Sequence, residues 1–101
     1  KQGSFKMAIT LFEESIRLFP KSKSYHFNLL TAYNDNNLYT RLIDHYEGIL
    51  IDDFKIDKEL QLLYINALFN SSKFDLACKM IKKIDPMSSL EISKKIMSKC
   101  N

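Results

Sequence analysis

Residues 3–16, GSFKMAITLFEESI, recur in outline as residues 37–50, NLYTRLIDHYEGIL, and again as residues 72–84, SKFDLACKMIKKI. The first offset is thirty-four residues and the second thirty-five. Four columns carry the match: Gly3, Asn37 and Ser72 at a turn; Phe5, Tyr39 and Phe74 at an aromatic; Ala8, Leu42 and Ala77 at a small-to-medium position; and Phe12, Tyr46 and Ile81 beyond it. The preceding stretches match as well, since SYHFNLLTAY (24–33) lies over ELQLLYINAL (59–68), with Ala32 over Ala67 and Tyr33 over Leu68. A fixed period of this length marks one supersecondary unit stacked on copies of itself, because a single unit cannot bury its apolar face alone.

Within the units, apolar residues fall at three- and four-residue steps, which places them on one stripe of a helix. The spacing predicts helices over 4–18, 23–34, 38–51, 57–70, 74–84 and 88–99. Ser4 is the expected N-cap of the first helix, with Gly3 in the turn before it, and Pro20 closes the run. Asp35, Asn36 and Asn37 break the second helix, and Asn70, Ser71 and Ser72 break the fourth. Asp52 and Asp53 oppose the dipole of the third helix and favour the start of the fourth. Asp85 and Pro86 separate the fifth from the sixth.

Period and pattern together resemble the tetratricopeptide repeat family over residues 1–85. Lys1, Gln2, Gly3, Phe5, Ala8, Ile9, Phe12, Ser15 and Pro20 follow that family's order of Lys-Gln-Gly, aromatic, Ala-Ile, aromatic, small residue and closing Pro. Later units drift: Leu42 replaces the small residue, Leu30 and Ile65 replace the usual Gly, and the aromatic-Leu-Gly signature is absent. The resemblance implies an all-α fold, an alpha-alpha superhelix of helical hairpins forming a single repeat domain over 1–101. Residues 1–20 would be the second helix of a truncated repeat, 23–52 and 57–85 two hairpins, and 87–100 a capping helix that lays Ile92, Ile96 and Met97 on the last hairpin. In that register a partner helix is expected just upstream of Lys1, in a larger protein, so that Phe5, Ala8, Phe12 and Ile16 lack part of their cover and can recruit another chain.

The same resemblance implies a concave groove for a protein or peptide partner. Its lining would be Ser24, Phe27, Asn28, Thr31, Asn34 and Asp35 from one unit and Glu59, Leu62, Leu63, Asn66, Phe69 and Asn70 from the next. Asn28 and Asn66 stand out because an amide offers a peptide backbone both a donor and an acceptor. Lys and Arg that would clamp a terminal carboxylate are missing from these positions, so an extended or helical peptide held by apolar and amide contacts fits better. The implied role is a non-catalytic scaffold for protein–protein interaction, or self-association through the N-terminal helix, with no cofactor. Two other readings stay open. The chain also resembles the pentatricopeptide family, which binds single-stranded RNA one base per repeat; the base-reading positions, however, fall on Phe27 and Leu62. Repeats of this kind also occur as accessory segments of bacterial enzymes such as glycosyltransferases.

Chemistry-bearing patterns are sparse. His26 and His45 sit in different predicted helices without a Cys, Asp or His at ligand spacing, so neither is a site candidate, and no metal is expected. With two glycines, Gly3 and Gly48, there is no phosphate-cradling loop. Cys78 and Cys100 could pair, but beside a good apolar core they are more simply read as free thiols in a reducing compartment, and the expected location is cytoplasmic. The longest apolar run is only a few residues, so no membrane contact is expected. The net charge of +3 is too small to announce nucleic acid. Its distribution is uneven, with acids concentrated in residues 35–59 and lysines in residues 73–101.

Overall fold

The computed structural model describes residues 2–54, 57–87 and 89–100, and among these every regular element is helical. Helix α1 spans Gln2–Leu18, α2 Lys23–Asp35, α4 Lys58–Asn70, α5 Phe74–Ile84 and α6 Glu91–Met97. Helix α3 occupies 39–53 and changes winding on the way, from Tyr39–His45 through a π turn at Tyr46–Leu50 to a last turn at Ile51–Asp53. Each helix packs on the next in order, and α2 also packs on α4, α4 on α6. The result is a flattened body of 41 × 30 × 21 Å.

The period seen in the sequence reappears in backbone angles. Ser22 (φ −78°, ψ 109°) and Asp57 (φ −81°, ψ 110°) stand thirty-five positions apart, each ahead of the first helix of a hairpin. Their side chains accept from the backbone N–H of Tyr25 at 3.4 Å and Leu60 at 3.0 Å, so each caps its helix in the same way. At the other end, Asn37 (φ 59°) and Ser72 (φ 64°) take the left-handed conformation. The next N–H groups turn back, Leu38 to the Tyr33 carbonyl at 2.8 Å and Lys73 to the Leu68 carbonyl at 2.9 Å. This is the closure that ends a helix by satisfying its last carbonyls. Leu38 and Lys73 then leave with the same geometry, φ −91° in both and ψ 60° and 61°. Two hairpins, α2–α3 and α4–α5, are thus turned by one device used twice.

The third member of that turn column behaves differently, which corrects the expected start of α1. Helix α1 already runs from Gln2, so Ser4 lies inside it and is not its N-cap, and no glycine among the described residues has a positive φ. The left-handed residue is needed where a chain must fold back onto carbonyls it has just left; Gly3 lies within the continuous helix α1 and makes no such turn. The π turn in α3 closes with the Ile51 N–H on the Tyr46 carbonyl. Tyr46 and Leu50 both point into the core, and the Tyr46 ring stacks on that of Tyr64 from α4 with centroids 4.1 Å apart and planes 13° from parallel.

At the C-terminal end, α6 begins at Glu91, later than predicted; Ser88, the expected first residue, lies outside the described residues. The reason is Asp85. Its buried carboxylate accepts from the Ser89 hydroxyl at 2.8 Å and from the backbone N–H groups of Ser89 and Leu90, both at 3.2 Å. Those bonds hold Leu90 extended (φ −105°, ψ 150°) and delay the helix. The neighbouring Ser93 hydroxyl and then these Ser89 and Leu90 groups keep the Asp85 carboxyl at about 2. Ile96 is fully buried against α4 and α5, with Ile92 and Met97 half-buried beside it.

The free-thiol expectation fails here. Cys78 on α5 and Cys100 after α6 form a disulfide, with Cα atoms 5.8 Å apart. Docking of α6 along α5 brings the two together, and a separation of 22 residues in sequence does not reveal it.

Closing a loop of this length restricts the unfolded chain by about 3 kcal/mol. Urea unfolding of the Cys78→Ser/Cys100→Ser variant should therefore show a loss of about 2–4 kcal/mol. The turns give a second prediction. Ser72→Gly should raise stability by about 1 kcal/mol, because glycine takes a positive φ without steric cost. Asn37→Gly should gain less, since Asn tolerates that region and its Oδ1 accepts from the Tyr39 hydroxyl at 2.8 Å.

Candidate functional site

The groove residues expected from the sequence lie on α2 and α4, the two first helices, which pack side by side. Two polar links fix their relative height. Near their starts, Lys23 bridges Asp57 at 2.9 Å and Glu59 at 2.6 Å, and these carboxylates, Glu59 first, raise the ammonium's pKa. Toward their ends, the Asn66 amide donates to Asn34 Oδ1 at 2.7 Å. Asn70 extends the row by donating to the Asn66 carbonyl at 2.8 Å and to its Oδ1 at 3.1 Å.

Asn34, Asn66 and Asn70 therefore form one connected row, and Glu59 is tied to α2 through Lys23. Ser24, Asn28, Asp35, Glu59 and Asn70 are exposed, while Phe27, Thr31, Asn34, Leu62, Leu63, Asn66 and Phe69 are half-buried. The bonds of the row join Asn34, Asn66 and Asn70 and do not extend to Asn28, earlier on α2. The hydroxyl oxygen of Thr31 is buried without a hydrogen-bond partner. Asn66 spends much of its bonding capacity on its neighbours, which holds the amides in a preorganised row.

Sequence reasoning missed the histidines. His26, in the first turn of α2, is fully buried and brings its Nδ1 to 3.0 Å from Nε2 of His45 on α3. Its own Nε2 lies 2.7 Å from the Pro20 carbonyl. A carbonyl only accepts, so His26 donates from Nε2, its Nδ1 is bare, and His45 donates to it from Nε2. The Phe54 ring covers His26 at 5.5 Å. Burial, and secondarily the charge His26 can carry, lowers His45 to about 4. The pair works as a clamp that fastens the α1–α2 connection to α3. One signal was available: His26 precedes Leu29, Leu30 and Tyr33 at the three-, four- and seven-residue steps of the buried stripe. Among the described residues no group of three or more His, Cys, Asp or Glu is placed to hold a metal ion.

Two tyrosine–carboxylate bridges complete the polar framework. Tyr33 donates to Glu13 at 3.0 Å and Tyr64 to Glu47 at 2.6 Å. The two acids are thirty-four positions apart, the period of their helices. Burial, helped by Glu13, pushes the Tyr33 phenol up to about 12, and burial with Glu47 raises Tyr64 as well.

Comparison with known proteins gives a short result. No family model, curated protein or solved structure matches the chain. The assignment of a role therefore rests on the geometry above.

The histidine clamp gives a pH prediction. His45 holds its proton more weakly in the folded chain, at about 4 against an ordinary 6.5. The unfolded state then binds more protons between those values, so stability is full above about 6.5 and falls as the pH drops toward 4. Urea midpoints measured across this window should decline for the parent chain. His45→Gln, which keeps a donor toward His26 and cannot titrate, should flatten that part of the decline.

Proposed function

We propose that the chain is a non-catalytic helical-repeat module, similar in plan to tetratricopeptide hairpins, that holds a protein or peptide partner. The observation that carries this reading is the duplicated hairpin: identical caps and closures thirty-five residues apart set α2 and α4 side by side as a single ribbed surface. Stacked hairpins of this kind bind along the surface made by their first helices. Here that surface carries exposed Ser24, Asn28 and Asn70 beside half-buried Phe27, Leu62 and Leu63, a mixture suited to a peptide read through its backbone and a few apolar side chains.

Helix α1 supports a second contact of the same class. Ile9 and Ile16 are buried, Phe5, Ala8 and Phe12 are half-buried, and Met7, Leu11 and Leu18 face outward with 70%, 64% and 61% of their surface exposed. In α3 and α5 the columns equivalent to Ala8 and Phe12 are fully buried or nearly so, at Leu42, Ala77, Tyr46 and Ile81. An apolar face of this width favours association with another copy. As to setting, no helix among the described residues is long and apolar enough to cross a membrane. The cytoplasmic expectation went with free thiols; the Cys78–Cys100 crosslink favours an oxidising compartment instead.

The test is a selection of random peptides on the intact chain, followed by calorimetry on the winners. Asn28→Ala and Asn66→Ala should each weaken binding by about tenfold, near 1.4 kcal/mol. Unchanged affinity in both variants for every selected peptide overturns the groove. Sedimentation equilibrium of the chain and of Leu11→Glu checks the α1 contact, with self-association expected for the first and lost in the second.

A further inference from the structure

The end of the stack opposite α1 carries an open trough of about 780 Å³ that the groove does not include. Its volume lies within the roughly 300–1,000 Å³ of ligand-sized clefts. One wall is the face of α5 that presents Lys79, Lys82 and Lys83, at the three- and four-residue spacing that aligns them. Lys99 closes the other side, held there by the Cys78–Cys100 disulfide in the floor. Phe74 stands at one end with 46% of its surface exposed and its ring edge-on to Phe69.

Three lysines of this trough, Lys79, Lys83 and Lys99, stand apart from any carboxylate. Residues 73–101 hold seven lysines and three acids, and one of those acids, Asp85, is buried and committed to Ser89 and Leu90. Only Asp75 lines the trough. The ion pairs among the described residues use Arg17, Lys21 and Lys23, and none of Lys79, Lys83 and Lys99 has a carboxylate partner within 4.0 Å. Three ammonium groups in a trough whose lining has Asp75 as its one carboxylate, next to an exposed aromatic ring, are complementary to a short stretch of carboxylates flanking an apolar side chain.

We infer that this trough docks an acidic peptide segment of a partner protein, with its carboxylates on Lys79, Lys83 and Lys99 and one apolar residue against Phe74. An acidic peptide fits better than a nucleic acid. Affinity for a phosphate backbone comes from many contacts along its length, whereas four lysines line this trough. The middle of the chain is acidic, with Asp35, Asp44, Glu47, Asp52, Asp53, Asp57 and Glu59 within residues 35–59. The disulfide takes a role in this site, because it ties the segment bearing Lys99 to α5.

Fluorescence anisotropy on the full chain tests the inference with three dye-labelled probes: a short Asp/Glu-rich peptide containing one Phe, the same peptide with Asn/Gln in place of its acids, and an oligouridylate. The acidic peptide should bind at least about tenfold more tightly than its neutral twin, and added salt should remove that advantage. Lys79→Gln/Lys83→Gln/Lys99→Gln should also remove it while circular dichroism stays unchanged, and Phe74→Ala should weaken binding only of peptides that carry the Phe. Asn28→Ala/Asn66→Ala should leave it intact, which separates this trough from the α2–α4 groove. Equal binding of acidic and neutral peptides, insensitivity to the lysine substitutions, or tighter binding of the oligouridylate than of the acidic peptide would each overturn the assignment.

Discussion

The fold depends on how a helix is made to stop and turn. In both hairpins the last carbonyls of the first helix are taken by N–H groups that have already passed a left-handed residue, Leu38 onto Tyr33 beyond Asn37 and Lys73 onto Leu68 beyond Ser72. Neither turn uses glycine, the residue for which this conformation is free, so each carries a steric cost that the closing bonds and the packing beyond them offset. Once the turn is set, the second helix must return antiparallel along the first. Leu30, Leu42, Leu68 and Ala77 are then fully buried in one core. The N-caps at Ser22 and Asp57 fix the opposite ends of the same helices, which is why α2 and α4 stand in register for the Asn34–Asn66 bond.

Much of this was legible in the sequence for one physical reason: local rules repeat when the structure does. The breaks at Asn37 and Ser72 and the helix over Phe74–Ile84 follow from three- and four-residue spacing plus turn chemistry; of the four α1 residues that the repeat register left short of cover, Phe5, Ala8 and Phe12 are half-buried but Ile16 is buried. The misses have a common cause too, since each depends on residues brought together across helices. His26 and His45 are nineteen positions apart, and Cys78 and Cys100 are separated by 22. Asp85 holds back α6 through bonds to Ser89 and Leu90 that a propensity reading counts as helix. Of the groove, the sequence placed Asn34, Asn66 and Asn70 on neighbouring helices; that they bond to one another was beyond its reach.

Polar links are distributed along the molecule in a way that bears on its use. The α1–α3 end is fastened by the histidine clamp on Pro20, the Tyr33–Glu13 bridge and the Lys21–Asp53 pair at 2.9 Å. The α5–α6 end is fastened covalently and leaves Lys79, Lys83 and Lys99 without a carboxylate partner. Of the acids in residues 35–59, Glu47, Asp53, Asp57 and Glu59 are bonded to Tyr64, Lys21 and Lys23.

Hydrogen exchange of individual backbone amides, followed by NMR, tests the central claim that the two closures hold the hairpins together. The Leu38 and Lys73 amides should exchange only through global opening, with the same free energy as core amides such as those of Leu30 and Ile65. Rapid exchange at Leu38 and Lys73 while Leu30 and Ile65 stay protected would show that the turns fray independently, and the closures would not then be what the packing depends on.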